Sequence, residues 1–189
     1  MSILIDKLPE SVTIGGKDYK INTDFRVSIL FETMMLDEDF PDELKGTQAI
    51  ELYFTDDIPP TEYWEEALQK IIEFYSCGKS QQPNNKKGQK SIQEIYSFEY
   101  DDDYIFSAFY QQYGIDLTTV NMHWWKFKAL FKSLSERCKI VEIMNYRIID
   151  ISKVSKEQQN FYRSMKKLYA LPLSQSVQDR LTELENQLK

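Results

Sequence analysis

The sequence predicts a mainly α fold: an N-terminal β-hairpin followed by helices, then a helical C-terminal half. Three observations predict it. A Gly15-Gly16 pair lies between two short runs of alternating polar and apolar residues, which is the pattern of a two-residue hairpin turn. Behind it, apolar residues recur at helical spacing through most of the chain. The length of 189 residues is enough to bury a core without help from disulfides or metal.

The elements come in order along the chain. Val12 and Ile14 alternate with polar residues, as do Tyr19 and Ile21, so 11–21 is expected to be a ribbon. It must lie on something, because two strands alone are marginal. Thr23 or Asp24 is placed to cap a helix that carries Phe25, Ile29, Leu30 and Met34. Residues 37–46 are acidic, contain Pro41 and read as a loop, with a short helix over 48–54. Pro59-Pro60-Thr61 launches a longer helix to about Cys77.

From Gly78 to Lys90 the chain has no apolar residue, as in a flexible linker or a long loop. The expected organisation is an acidic hairpin-plus-helices region over 1–77, a linker over 78–99 and a helical region over 100–189. In that last region Asp101 can cap a helix through Tyr113, with Gly114 as its stop. Asn121 or a nearby threonine opens a helix through Leu134, and Ser135 opens one to about Ile148. Ser155-x-x-Gln158 has the capping-box pattern and starts a helix to about Leu171, ended by Pro172. Ser174 opens the last helix.

Net charge is −7, divided as −11 over 1–77 and +4 over 78–189. An acidic front half argues against wrapping nucleic acid, which needs clustered Lys and Arg. Lys86, Lys87 and Lys90 read as a solvated loop. Cys77 and Cys138 lie far apart without a CxxC spacing, which fits two reduced thiols. The start lacks the pattern of a signal peptide, and no run reaches the roughly 20 apolar residues of a membrane span. No nucleic-acid or membrane partner is expected.

Catalytic sets are absent from the pattern. His123 is the single histidine, which excludes a multi-histidine metal centre or a HExxH site. There is no Walker loop, GxGxxG or GxSxG. No enzymatic activity, cofactor or metal is therefore expected. Asp101-Asp102-Asp103 could offer oxygen ligands to a hard cation. The stronger reading is that they offset the dipole and satisfy the amides at a helix start.

What remains is recognition chemistry. Trp124 and Trp125 are adjacent, so on a helix they point about 100° apart and serve two surfaces. Trp124, Phe127, Phe131 and Leu134 make one stripe; Met122, Trp125 and Ala129 make another. If the helix is sandwiched, both stripes are core. If it lies at the surface, one stripe is a groove for a partner's helix, with Trp124, Trp125, Phe127 and Phe131 as its binding residues. Val177, Leu181, Leu184 and Leu188 form a narrow seam of coiled-coil type. Two heptads are too short to stand alone, so this seam is expected to dock on its own chain, on a second copy in a homo-oligomer, or on a client.

Four strings carry a family resemblance: LPESVTIGGKDYKINTDFR (8–26), YDDDYIFSAFYQQYGIDL (100–117), HWWKFKALFKSL (123–134) and EIMNYRIID (142–150). They resemble the bacteriophage "gene product fifteen" family, a tail-cluster protein of siphophages of Gram-positive bacteria. The resemblance implies a tail assembly chaperone that binds the tape measure protein while a long non-contractile tail is built. The tail tube protein and a second tail assembly chaperone are further implied partners. It also implies a location in the host cytoplasm during assembly and absence from the mature virion. The rival expectation is a structural minor tail or connector protein that is retained in the particle.

Overall fold

The computed structural model describes residues 3–79 and 95–172, which fall into two compact units. The first joins residues up to 79 with 121–132; the second joins 95–120 with 133–172.

In the first unit, β1 (Ser11–Ile14) and β2 (Lys17–Lys20) pair antiparallel with Ile14 opposite Lys17. Gly15 and Gly16 therefore form a two-residue turn, and both have positive φ, +56° and +79°, as a type I′ turn demands. A β-carbon on Gly15 would meet the Tyr63 ring at 2.8 Å, and the Gly15 N–H donates to the Glu66 carboxylate at 3.0 Å. The ribbon's support is thus helix α3 (Trp64–Tyr75), which comes after one 3-10 turn at Thr61–Tyr63. Ile14, Tyr19 and Ile21 are buried beneath it.

Helix α1 (Phe25–Leu36) is capped by Asp24, whose carboxylate accepts the Arg26 N–H at 2.9 Å. Its inward face is Phe25, Ser28, Phe31, Glu32 and Met34. Leu30, expected in the stripe, is exposed, and Ile29 is only half-buried. The stripe is rotated because two inward positions are polar and have partners in the core. Ser28 shares a 2.8 Å hydrogen bond with the Tyr53 hydroxyl, and Glu32 accepts from the Tyr75 hydroxyl.

Helix α2 (Asp42–Tyr53) begins six residues before the expected short helix. Pro41 stands just ahead of it and Asp42 and Glu43 occupy its first turn, where their charges oppose the dipole. The acidic stretch is thus partly a helix start rather than wholly a loop.

The second unit holds α4 (Asp102–Tyr113), α6 (Lys139–Ile148) and α7 (Lys156–Leu168). Helix α6 packs against both α4 and α7. Ile105, Ala108, Phe109, Ile140 and Ile143 supply its buried apolar side chains. Gly114, with φ +66°, terminates α4 in the left-handed conformation that glycine adopts without penalty. Ser135 is not the cap of α6. That helix starts after Cys138, and Ser135 closes the turn before it by accepting the Cys138 N–H at 3.0 Å. Ser155 does precede α7, but its hydroxyl donates to the Gln158 side chain at 3.2 Å rather than taking part in a backbone cap. Most of the expected linker (80–94) and the helix opening at Ser174 lie outside the described residues.

Helix α5 (Trp124–Lys132) belongs to the first unit although it lies in the rear of the chain. Its entry is stitched to the entry of α1. Phe25 N–H donates to Met122 C=O at 3.0 Å, and Trp124 N–H donates to Thr23 C=O at 2.8 Å. The helix then packs along α1, so the compact units do not keep to chain order.

Candidate functional site

The tryptophan pair meets the C-terminal end of α3. The final carbonyls of a helix lack intrahelical donors. Here Cys77 N–H donates to Phe74 C=O and Gly78 N–H to Glu73 C=O, both at 2.9 Å, the pair of bonds that defines a Schellman ending. Cys77 takes the left-handed position with φ +59°, a place where glycine is usual. The Trp125 indole N–H donates to Phe74 C=O at 2.8 Å and the Trp124 indole N–H to Tyr75 C=O at 2.9 Å. Consecutive carbonyls of α3 and consecutive side chains of α5 are each turned by about 100°. Adjacent tryptophans can therefore serve adjacent carbonyls.

Lys128 completes the clasp. Its ammonium donates to Tyr75 C=O at 3.2 Å and lies 4.2 Å from the Tyr75 ring centre and 4.9 Å from that of Trp124. Burial lowers its pKa, opposed by the nearby Cys77 and Glu32 charges. Burial also raises the Cys77 thiol, against the pull of Lys128 and Lys132. The same cause raises the Tyr53 hydroxyl.

Trp124 and Phe127 are each 1% exposed, Trp125 7% and Phe131 9%. Rings of Tyr75, Trp124, Phe127 and Phe131 stack in sequence at 5.5, 5.7 and 6.1 Å between centres. Phe25 stacks on Phe127 at 4.8 Å. Both faces that the adjacent tryptophans define are therefore packed, as in the sandwiched reading, and neither forms an open groove. Met122 is buried too, whereas Ala129 is exposed. Val177, Leu181, Leu184 and Leu188 lie outside the described residues.

His123 caps α5. Its Nδ1 accepts the Trp125 N–H at 3.0 Å, so its Nε2 carries the proton that it donates to Pro9 C=O at 3.1 Å. The ring meets Phe74 at 5.5 Å and Trp125 at 5.9 Å. Burial holds the imidazole below its ordinary pKa, while the Pro9 hydrogen bond works in the opposite direction.

The second unit contains a buried ion pair that the sequence pattern did not announce. Arg147 donates to both Asp101 oxygens, at 2.6 and 2.9 Å, and both side chains are almost wholly enclosed. The same guanidinium donates to Ile95 C=O at 3.1 Å and Tyr169 C=O at 2.6 Å. Asp101 also accepts the Ser97 N–H at 2.9 Å. The Arg147 guanidinium thus ties Ile95, Asp101 and Tyr169 to α6, and the Asp101 carboxylate makes no side-chain cap bond to α4. The available signal was Arg147 itself, four residues after Ile143 on an otherwise apolar face. Asp102 and Asp103 are exposed in the first turn of α4. Among the described residues no three His, Cys, Asp or Glu side chains gather to hold a metal ion. No helix there is long and apolar enough to cross a membrane.

These groups define a mainly α protein whose indole, imidazole and guanidinium donors hold backbone carbonyls and helix ends. The sequence model of the family described as Bacteriophage Gp15 protein matches residues 4–171. The chain belongs to that family, which makes it a phage structural or assembly-related protein. Neither a curated protein nor a solved structure matches it.

Proposed function

We propose that this chain is a tail assembly chaperone that binds the tape measure protein during assembly of a long non-contractile tail. It works in the host cytoplasm, without enzymatic chemistry, and is absent from the mature virion. The tail tube protein and a second chaperone are its further partners. The observation that carries the reading is family membership over nearly the whole chain. The structure adds exposed apolar side chains on helices of both units, among them Leu30 and Ile72 in the first and Ile148 and Leu168 in the second. Contacts of that size favour moderate affinity, which suits a partner that must be released when tube subunits polymerise.

Co-expression tests the proposal. A tape measure fragment that is insoluble alone should become soluble and co-purify with this chain, and purified particles should lack it. Abundant chain in purified particles would overturn the chaperone reading in favour of a minor tail or connector protein. Normal tails after deletion of the gene would remove both.

A further inference from the structure

Helix α7 carries apolar side chains on two sides, and among the described residues only one side is covered. Tyr162, Met165 and Tyr169 are half-buried, and the Tyr162 and Tyr169 rings meet Tyr146 of α6 at 6.2 and 5.9 Å. About 100° further round the helix, Phe161 and Leu168 are 51% and 66% exposed. They are seven residues apart and so lie within about 20° of each other. Exposed Glu157 and Ser164 complete the strip: Glu157, Phe161, Ser164 and Leu168 are spaced by four, three and four residues, inside a sector of about 60°. The edge of the Phe161 ring reaches Tyr146 at 6.1 Å, which sets this strip along the border of the α6 contact. The Ser164 hydroxyl donates to Asn160 C=O at 3.0 Å, so its polar group is satisfied within the helix. Lys156, Arg163 and Lys167 wind onto another side and are not part of the strip.

The chain itself supplies a matching strip. Val177, Leu181, Leu184 and Leu188, outside the described residues, repeat the spacing of four, three and four. Folding the chain back at the Pro172–Leu173 bond sets Leu168 against Val177, Ser164 against Leu181, Phe161 against Leu184 and Glu157 against Leu188. The members of each pair are equidistant from that bond, so a single turn brings all four into register. Helix α7 ends at Leu168, and a helix opening at Ser174 leaves 169–173 as the connection, a length usual between antiparallel helices. Pro172 cannot continue α7. Arg147 Nε donates to Tyr169 C=O at 2.6 Å, which holds the exit of the chain beside Leu168.

We propose that residues 173–189 fold back as a helix on the Phe161–Leu168 strip of α7 in the same molecule, as the second arm of a helical hairpin. Leu184 then covers Phe161, Val177 covers Leu168, and the small Ser164 makes room for Leu181. Glu157 is polar, so the contact fades toward Leu188. Overall charge favours the pairing, with four basic and one acidic side chain over 156–168 against two basic and three acidic over 174–189. Lys167 and Arg180 are a like-charged pair beside the seam and limit its strength. A helix of two heptads holds only while docked, so the hairpin opens readily. A client that reaches Leu168 must displace the segment, whereas Leu30 and Ile72 stay open.

Hydrogen exchange and crosslinking of the full chain test the hairpin without any client, so it and the chaperone reading can fail independently. In wild type the amides of 177–188 should exchange at least about ten-fold more slowly than in an unfolded chain. Leu168→Gln lies outside that segment and keeps a good helix former in α7, yet it should remove the protection, as should Leu181→Gln with Leu184→Gln. Under mild oxidation, Ser164→Cys with Leu181→Cys should close a disulfide within one molecule at least about ten-fold faster than Ser164→Cys with Thr182→Cys, whose second thiol points about 100° away. Mass mapping separates these bridges from any that involve Cys77 or Cys138. Wild-type amides of 177–188 that exchange at unfolded-chain rates would overturn the proposal, and so would protection that ignores Leu168→Gln or equal rates for the two cysteine pairs. A bridge that joins two molecules would also overturn it, because a second copy would then be the occupant of the strip.

Discussion

Truncating Trp124 to alanine should unfold the first unit at a much lower denaturant concentration. The side chain is 1% exposed, stacks on Tyr75 and Phe127 at 5.5 and 5.7 Å, and donates to Tyr75 C=O at 2.9 Å. Removing a buried tryptophan costs about 3–5 kcal/mol in lost burial and cavity, and the two lost ring pairs place this site at the upper end. Trp124→Phe separates the two contributions. A phenyl ring keeps part of the stacking and removes the donor and the rest of the indole, and Lys128 still reaches the same carbonyl at 3.2 Å. The expected cost is about 1–2 kcal/mol, one modest hydrogen bond plus a small void.

The assay is urea unfolding tracked by tryptophan emission. Trp64, Trp124 and Trp125 are the chain's three tryptophans and all lie in the first unit. Emission therefore reports that unit, and Trp64 remains as a probe in both variants. An unchanged denaturant slope with a lower midpoint would mark a pure stability loss. If Trp124→Ala cost under about 1 kcal/mol, or no more than Trp124→Phe, the ring would not be a core element and the clasp would not be what holds α5 to α3.

The same geometry yields three further expectations. Because burial depresses the His123 pKa, the unfolded chain takes up its proton first. The stability from the neutral ring is present above the unfolded value of about 6.5 and is lost as pH falls through it toward the folded value, at no more than about 1.4 kcal/mol per pH unit. His123→Asn keeps an acceptor at the helix start and should flatten that pH dependence, as read by urea midpoints from pH 5 to 8. Cys77→Gly should be more stable than Cys77→Ala by about 1 kcal/mol, the reverse of a helix interior, because φ is positive there; equal midpoints would refute this. Arg147→Met leaves the Asp101 carboxylate buried without its cation and should cost about 3–5 kcal/mol, monitored by near-UV dichroism of the second unit's tyrosines.

The hairpin and most helix starts were legible because their signals are local. Gly15-Gly16 and Gly114 need positive φ, and Asp24 can cap only the helix that begins at the next residue. The α1 stripe was less legible because its inward face contains Ser28 and Glu32, whose hydrogen-bond partners, the Tyr53 and Tyr75 hydroxyls, lie many residues away. Likewise Asp101 has the composition of a cap, and only the fold brings it to Arg147, 46 residues on. Periodicity showed that the two tryptophans serve different surfaces. It could not show that both surfaces are filled, since α3 and α1 are remote in sequence.

That filling constrains where the proposed client could sit. For α5 to become a groove it would have to leave α1 and α3, exposing Trp124, Trp125, Phe127 and Phe131 and stripping the donors from Phe74 and Tyr75 carbonyls. Four such side chains at about 1.5–3 kcal/mol each sum to roughly 6–12 kcal/mol, which rivals the 5–15 kcal/mol that holds a typical domain together. If the proposed tape measure client binds with moderate affinity it cannot offset that loss, and under that proposal its contacts are expected on side chains already exposed, such as Leu30 on α1 or Ile72 on α3. Titrating a tape measure fragment into the chain should then leave the tryptophan emission maximum near its free value. Leu30→Asp or Ile72→Asp should weaken binding and leave the urea midpoint within about 0.5 kcal/mol, as surface substitutions usually do. A large red shift on client addition, comparable with that of urea unfolding, would show instead that the client displaces α5 and that the buried aromatic stripe is the binding element after all.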